Sequence, residues 1–252
     1  RGVAGETNWS RLNTDGFQPG LGSPPRDTLE QGNRYGQRWI PAETDVSIRP
    51  GWFYSPSTDS QVKSVEALMD IDYTSFGRNS NLLLNVPPDR RGRIHPTDSA
   101  RLMEFRQARD KAFANNLLTP EAAIASKQTR RGKAFAASNI ADGNYHSYWA
   151  ATNNSRTATI DIDLQRPQTF NRLLIQEYIP LGQRVAAFSL EALDSNQQWH
   201  SIANGTTIGY KRILRFEPVT AQKLRINITD ALATPLINAA ELYFDPLPSP
   251  KK

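Results

Sequence analysis

The spacing of apolar and polar positions changes along the chain, and each change predicts an element. Residues 43–49, Glu-Thr-Asp-Val-Ser-Ile-Arg, alternate, which predicts a short strand whose end delivers side chains to a site. Val62, Val65, Leu68 and Met69 fall at helical spacing behind the N-cap candidates Ser57, Thr58 and Asp59, so a helix is expected over 59–72. Gly77 breaks the pattern. Leu82 to Val86 is then a compact apolar run of the kind buried on both faces of a parallel sheet. After a PPDRRGRIHP turn, Leu102, Phe105, Arg109 and Phe113 step along a second helix, about 98–116. Strand, helix, strand, helix is the rhythm of a (β/α) barrel, of which only the last strands would be here, leaving a sheet edge and an apolar face unpaired.

The period then shifts. LLTPEAAIASKQTRRGKAFAASN, from Leu117 on, is rich in small and polar residues and reads as a linker. Beyond it, short apolar-alternating stretches recur at 158–164, 170–179, 186–193, 199–203, 211–216, 223–228 and 240–245, with Gly, Asn, Asp and Pro between them. That spacing predicts a β-sandwich. The expected organisation is therefore residues 1–117 as the carboxyl-terminal part of a barrel, 118–136 as linker and 137–252 as an all-β unit. The stretch 10–37 is rich in Gly, Pro, Asn, Asp and Ser, too broken for a helix or central strand; it reads equally as a loop over a site or as a disordered edge.

Composition narrows the function. Thirty Lys plus Arg against 25 Asp plus Glu give +5 over 252 residues, with no dense basic run, so nucleic-acid binding is disfavoured. The chain has no cysteine, which excludes disulfides, thiolate metal sites and a cysteine nucleophile. No apolar run approaches the ~18–20 residues that span a bilayer. The opening Arg-Gly-Val reads like the middle of a protein, with any targeting segment expected upstream. GxSxG, HExxH, P-loop and GxGxxG signatures are absent, and His95, His146 and His200 stand in unrelated contexts.

Chemistry concentrates between Trp39 and Asp89. Glu43 and Asp45 sit two apart, followed by Arg49 and the trio Trp52, Phe53 and Tyr54; Arg78 and Asn79 precede the apolar run. Carboxylates, a guanidinium and exposed rings suit a sugar site, since rings stack on pyranose C–H faces while charged groups hold hydroxyls. PAETDVSIRPGWFY and GRNSNLLLNVPPDRRGRI, with the leading RGVAGETNW, closely resemble the later half of the catalytic domain of bacterial α-L-fucosidases, glycoside hydrolase family 29. ADGNYHSYWAA (141–151), the strands after it and the closing KLRINI and INAAELYF resemble the discoidin, or F5/8 type C, galactose-binding-like jelly roll.

These resemblances imply a retaining glycosidase acting on a fucosylated oligosaccharide or glycoconjugate, with a periplasmic or extracellular location. A retaining enzyme needs two carboxyl groups ~5–5.5 Å apart. The family's Trp-Phe-Asp-Gly nucleophile motif is not in these residues, so the nucleophile is expected upstream of Arg1, in the missing half of the barrel. The family's acid/base also falls in a turn just before RGVAGETNW. Glu43 is then an acid/base candidate, a contact to the sugar bearing fucose together with Asp45 and Trp52, or a strand-end partner of Arg49. Arg49, Arg78 and Asn79 are further substrate-binding candidates, the last two near the substrate mouth. No cofactor or catalytic metal is implied; in the F5/8 fold the loop of Asp142, Asn144, Tyr148 and Trp149 commonly packs near a structural calcium, with Trp149 expected in the core. Thr44 stands where relatives carry cysteine, and YSPSTD replaces a histidine-containing stretch, both of which bear on how the site is enclosed. The alternative function is a non-catalytic carbohydrate-binding β-sandwich attached to a partial barrel.

Overall fold

A computed structural model describes residues 4–14 and 24–247. The amino-terminal part is mixed α/β. It runs β1 (Arg11–Leu12), α1 (Arg26–Gln31), β2 (Arg38–Trp39), β3 (Ala42–Ser47), α2 (Val65–Thr74), β4 (Ser80–Asn85) and α3 (Pro96–Ala112). β3 and β4 pair in parallel, Glu43 opposite Asn81 and Asp45 opposite Leu83, with α2 between them in sequence. β1 and β2 form a separate antiparallel pair. The four elements predicted here, β3, α2, β4 and α3, therefore exist, with instructive differences. The residues expected to begin a helix at 59 form a 3-10 turn over Pro56–Gln61, and α2 starts later, where the Ser64 hydroxyl accepts from Ala67 N. α3 begins at Pro96 because His95 caps it, its Nδ1 accepting from Thr97 N. Residues 26–31, in the stretch judged too broken for a helix, do form one, with Asp27 in its first turn and an Arg26–Glu30 pair one turn apart. Part of that stretch, 15–23, lies outside the described residues.

The run Leu82–Val86 is not buried on both faces. Val46, Leu82 and Leu84 pack with Ile48, Leu68 and Ile71 under the helices, whereas Leu83 is half exposed on the opposite face beside Glu43 and Asp45. Alternation along both strands thus gives this small sheet one covered and one open face.

The remainder is one seven-stranded antiparallel sheet: β5 (Ala123–Ala125), β6 (Trp149–Ala150), β7 (Ala158–Glu177), β8 (Val185–Leu193), β9 (Trp199–Gly205), β10 (Arg212–Ala231) and β11 (Leu236–Tyr243). Four stretches predicted as separate strands are here two long ones, β7 and β10, paired along their length. The register shifts between Arg215 and Val219 and again between Ala221 and Lys223. Pro167 and Pro218, which cannot donate to a ladder, stand at these bends. Ile160, Ile162 and Leu164 before the bend and Leu173 and Ile175 after it all face one core, so the inward parity switches and the sheet wraps on itself like a sandwich. Trp149 is fully buried in that core, as expected. The expected linker 118–136 is woven into the same unit: β5 adds to the edge of β7, Leu118 is fully buried, and Leu117 N donates to Leu242 O.

The two parts share a seam. Met69, Tyr73 and Ala112 of the helices pack on Leu174, Ile213 and Tyr243 of the sheet. Tyr73 donates to Asp245 Oδ2 at 2.7 Å, and Asp245 also holds buried Arg172 at 3.1 Å. Arg215 reaches Asp70 of α2 at 2.8 Å.

Candidate substrate cleft

The open face of β3 floors a cleft of about 420 Å³. Ala42, Glu43, Thr44 and Asp45 of β3 all line it, with the carboxylates of Glu43 and Asp45, two apart on one strand, exposed and Thr44 between them mostly buried. Trp52 forms one wall, 45 % exposed, with Phe53 beside it 87 % exposed. Asn85 fixes that loop, donating to Ser47 Oγ at 3.0 Å and to Trp52 O at 3.1 Å. Ala4, Ser80 and α1, through Arg26, Leu29 and Glu30, close the other sides. Thr44 Oγ1 lies 2.8 Å from Ser80 Oγ, tying the two strands together beside the cleft. Two carboxylates and an indole around an open cleft can take a pyranose, with hydroxyls donating to the carboxylates and the C–H face on the ring.

Arg49 is elsewhere. Its side chain is fully buried, with Nε 2.8 Å from Asp98 Oδ2 and Nη1 2.8 Å from Asp59 Oδ1 and 3.1 Å from Thr58 Oγ1. Burial opposes its charge, but the hydrogen bonds Arg49 donates to the Asp98 and Asp59 carboxylates, with their negative charge, outweigh that and raise its pKa. Tyr54 lies over the guanidinium at 5.0 Å and stacks on His95, whose Nε2 is 3.6 Å from Asp59. Arg49 is thus the centre of an internal network, neither a ligand contact nor the partner of Glu43. The Asp98 that claims it was not singled out from sequence; a lone acid in the first turn of a helix reads as a dipole partner.

Arg78 and Asn79, expected near the substrate mouth, lie outside this cleft, at the seam. Asn79 is buried with a positive φ of 58°, accepting from Tyr210 N at 2.7 Å and donating to Ser10 Oγ at 3.0 Å. Arg78 holds the Glu6 carboxylate and Ala4 O. Among the expected site residues, the cleft brings together Glu43, Asp45 and Trp52. It adds α1, which sequence reasoning left as loop although the Arg26–Glu30 spacing and Asp27 were legible signals.

In the sheet half, Asp142 accepts at Oδ1 from Asn144 N and at Oδ2 from Ser147 Oγ, and Asn144 Oδ1 accepts from His146 N. Tyr148 stacks on Tyr178 at 4.3 Å, and Trp149 Nε1 donates to Thr129 Oγ1. The loop's carboxylate and amide oxygens accept from the loop's own donors. Among the described residues no group of three His, Cys, Asp or Glu could hold a metal, and no helix is long and apolar enough to cross a membrane.

Comparison with known proteins agrees with both halves. Residues 22–107 match the family described as alpha-L-fucosidase, and residues 122–242 match the F5/8 type C domain. Alpha-L-fucosidase 1 of Arabidopsis thaliana is 38 % identical over 248 residues, covering 97 % of this chain and 48 % of its own. The crystal structure of SpGH29 superposes with a TM-score of 0.88 at 35 % identity, over 97 % of this chain and 52 % of that one. A GH29 fucosidase of Ruminococcus gnavus, solved in complex with fucose, gives 0.85 at 28 % identity, over 96 % and 49 %. The chain spans about half the length of the curated relatives it matches.

Proposed function

The chain belongs to the α-L-fucosidases of glycoside hydrolase family 29, and from that premise we propose that its cleft receives the sugar to which α-L-fucose is attached. The observation that carries this reading is the convergence of Glu43, Asp45 and Trp52 on one open cleft. On this reading β3, α2, β4 and α3 are the last units of a (β/α) barrel, whose inner wall is the open face of Glu43, Asp45 and Leu83, and the wrapped sheet is its jelly-roll appendage. The nucleophile and the acid/base lie in the half of the family length that this chain does not span. The whole enzyme releases terminal fucose with retention: one carboxylate attacks the anomeric carbon as the other protonates the leaving oxygen, and water then cleaves the glycosyl ester. The enzyme works on glycans outside the cytoplasm.

Here Glu43 accepts from a hydroxyl of the leaving-group sugar and Trp52 stacks on its face. In the full-length enzyme, Glu43→Gln and Trp52→Ala are expected to lower kcat/KM for branched fucosylated oligosaccharides about tenfold to a hundredfold, with little effect on an aryl fucoside. An acid/base role for Glu43 predicts loss on both substrates and recovery with azide, so kinetics with and without azide decide. If neither substrate slows, the cleft is misassigned. The 252-residue chain by itself is expected not to hydrolyse an aryl fucoside; turnover by it would place the catalytic carboxylates within these residues.

A further inference from the structure

The segment Glu6–Ser10 belongs by sequence to the α/β part, yet six of its hydrogen bonds run to the sheet half. Thr206 Oγ1 and Arg212 Nη1 both donate to Glu6 O at 2.6 Å, and Arg212 Nη2 meets the Glu6 carboxylate at 2.9 Å. Asn8 N donates to Thr207 Oγ1 at 2.8 Å. Gln183 grips both sides, its Nε2 on Asn8 O and its Oε1 on Ser10 N, each at 2.8 Å. Asn8, Ser10, Gln183, Thr207 and Arg212 are all buried, so none of these bonds has water as a ready substitute.

This segment and the two residues before it, Ala4 and Gly5, carry one wall of the cleft. Gly5 N donates to Glu30 O and Trp9 N to Gln31 O, which fastens α1. Ala4 lines the cleft and donates to Thr74 O at the end of α2. Asn8 Nδ2 donates to Arg78 O, just before β4 and the cleft residue Ser80. A six-residue helix packed with no buried side chain has little of its own to hold it in place.

We infer that the sheet half acts as a clamp: Gln183, Thr206, Thr207 and Arg212 position Glu6–Ser10, and through it the α1 wall of the cleft. The consequence for catalysis rests on the fucosidase reading above, with these four as positioning residues that never touch substrate. It gives the F5/8 type C half a role in the cleft that is independent of any sugar-binding site of its own.

Two near-isosteric variants test it: Thr207→Val, which orphans Asn8 N, and Gln183→Leu, which orphans Ser10 N and leaves Asn8 O with Asn79 Nδ2 alone. Ile160→Val, in the sheet core, is the control for a general loss of stability. In this chain, amide exchange at Asn8, Ser10 and the α1 amides Leu29 and Gly32 is expected to quicken about tenfold or more in the two clamp variants and not in the control. In the full-length enzyme, assayed well below the unfolding temperature, KM for a fucosylated oligosaccharide should rise about tenfold while kcat for an aryl fucoside holds. Unchanged exchange in α1, or exchange that quickens with no change in oligosaccharide KM, overturns the clamp. If wild-type enzyme cleaves no fucoside, the fucosidase reading falls, and α1 exchange still decides whether the sheet holds the wall.

Discussion

Arg49 shows why a residue type in a promising stretch does not by itself define a site. A guanidinium fully out of water needs charge and hydrogen bonds around it, and Asp98, also fully buried, with Asp59 and Thr58 supplies both. Glu43, six residues earlier and on the open face, is exposed. The two therefore respond differently to neutralisation. Arg49→Met leaves Asp98 ionised and buried without a partner and is expected to cost about 3–5 kcal/mol in urea unfolding. Arg49→Met with Asp98→Leu should recover much of that loss, because the stranded charge goes too. Glu43→Gln should stay within about 0.5 kcal/mol of wild type, as for an exposed surface position. Equal costs for Arg49→Met and Glu43→Gln would mean the buried network is not what holds this loop.

At the scale of elements, short-range pattern was legible and long-range closure was not. Alternation at 43–49 and helical spacing at 98–116 were enough to place β3 and α3, since each pattern arises from one face meeting one core. Nothing local distinguishes two strands from one bent strand, so Pro167 and Pro218 read as breaks when they are bends in β7 and β10. Leu83 looked like core because an apolar run carries no mark of which side remains open. Asn79 looked like a substrate contact because its φ of 58° and its partner Tyr210, 131 positions away, are tertiary facts. Gly209 is the other side of that contact. Its φ is +68°, and a Cβ there would stand 2.3 Å from Asn79 Cγ, so Gly209→Ala combines left-handed strain with a clash. A loss of about 2 kcal/mol or more in urea unfolding is expected, and a loss under about 0.5 kcal/mol would show the seam to be slack. Limited proteolysis should likewise spare 117–125, where Leu118 is core and β5 is paired, although composition suggested a linker.

The whole molecule is joined at the seam, and one buried carboxylate there makes its stability depend on pH. Glu177 is fully enclosed at the end of β7, accepting from Arg184 N at 2.7 Å, Val185 N at 2.9 Å and Gly209 N at 2.8 Å. Burial pushes its pKa up, and although the three N–H donors pull the other way, burial wins, leaving it at about 7. The Gly209 bond matters beyond the sheet, because the neighbouring Tyr210 N is what Asn79 Oδ1 accepts. In the unfolded chain Glu177 titrates near the ordinary glutamate value, about 4.3. Between those two values the folded protein binds more protons than the unfolded one, so stability must fall as pH rises. It is greatest below about pH 4.3 as far as this group is concerned, declines toward pH 7, and is flat beyond, with a total of about 3–4 kcal/mol as an upper figure. Glu177→Gln keeps one carbonyl acceptor and cannot ionise, so its difference in unfolding free energy from wild type should move in its favour by that amount between pH 4.5 and 7.5. The comparison is made variant against wild type at each pH, which cancels the other titrating groups. A difference that stays constant across this range, or grows in favour of wild type with rising pH, would show that the three backbone donors, not burial, set the charge state at the seam.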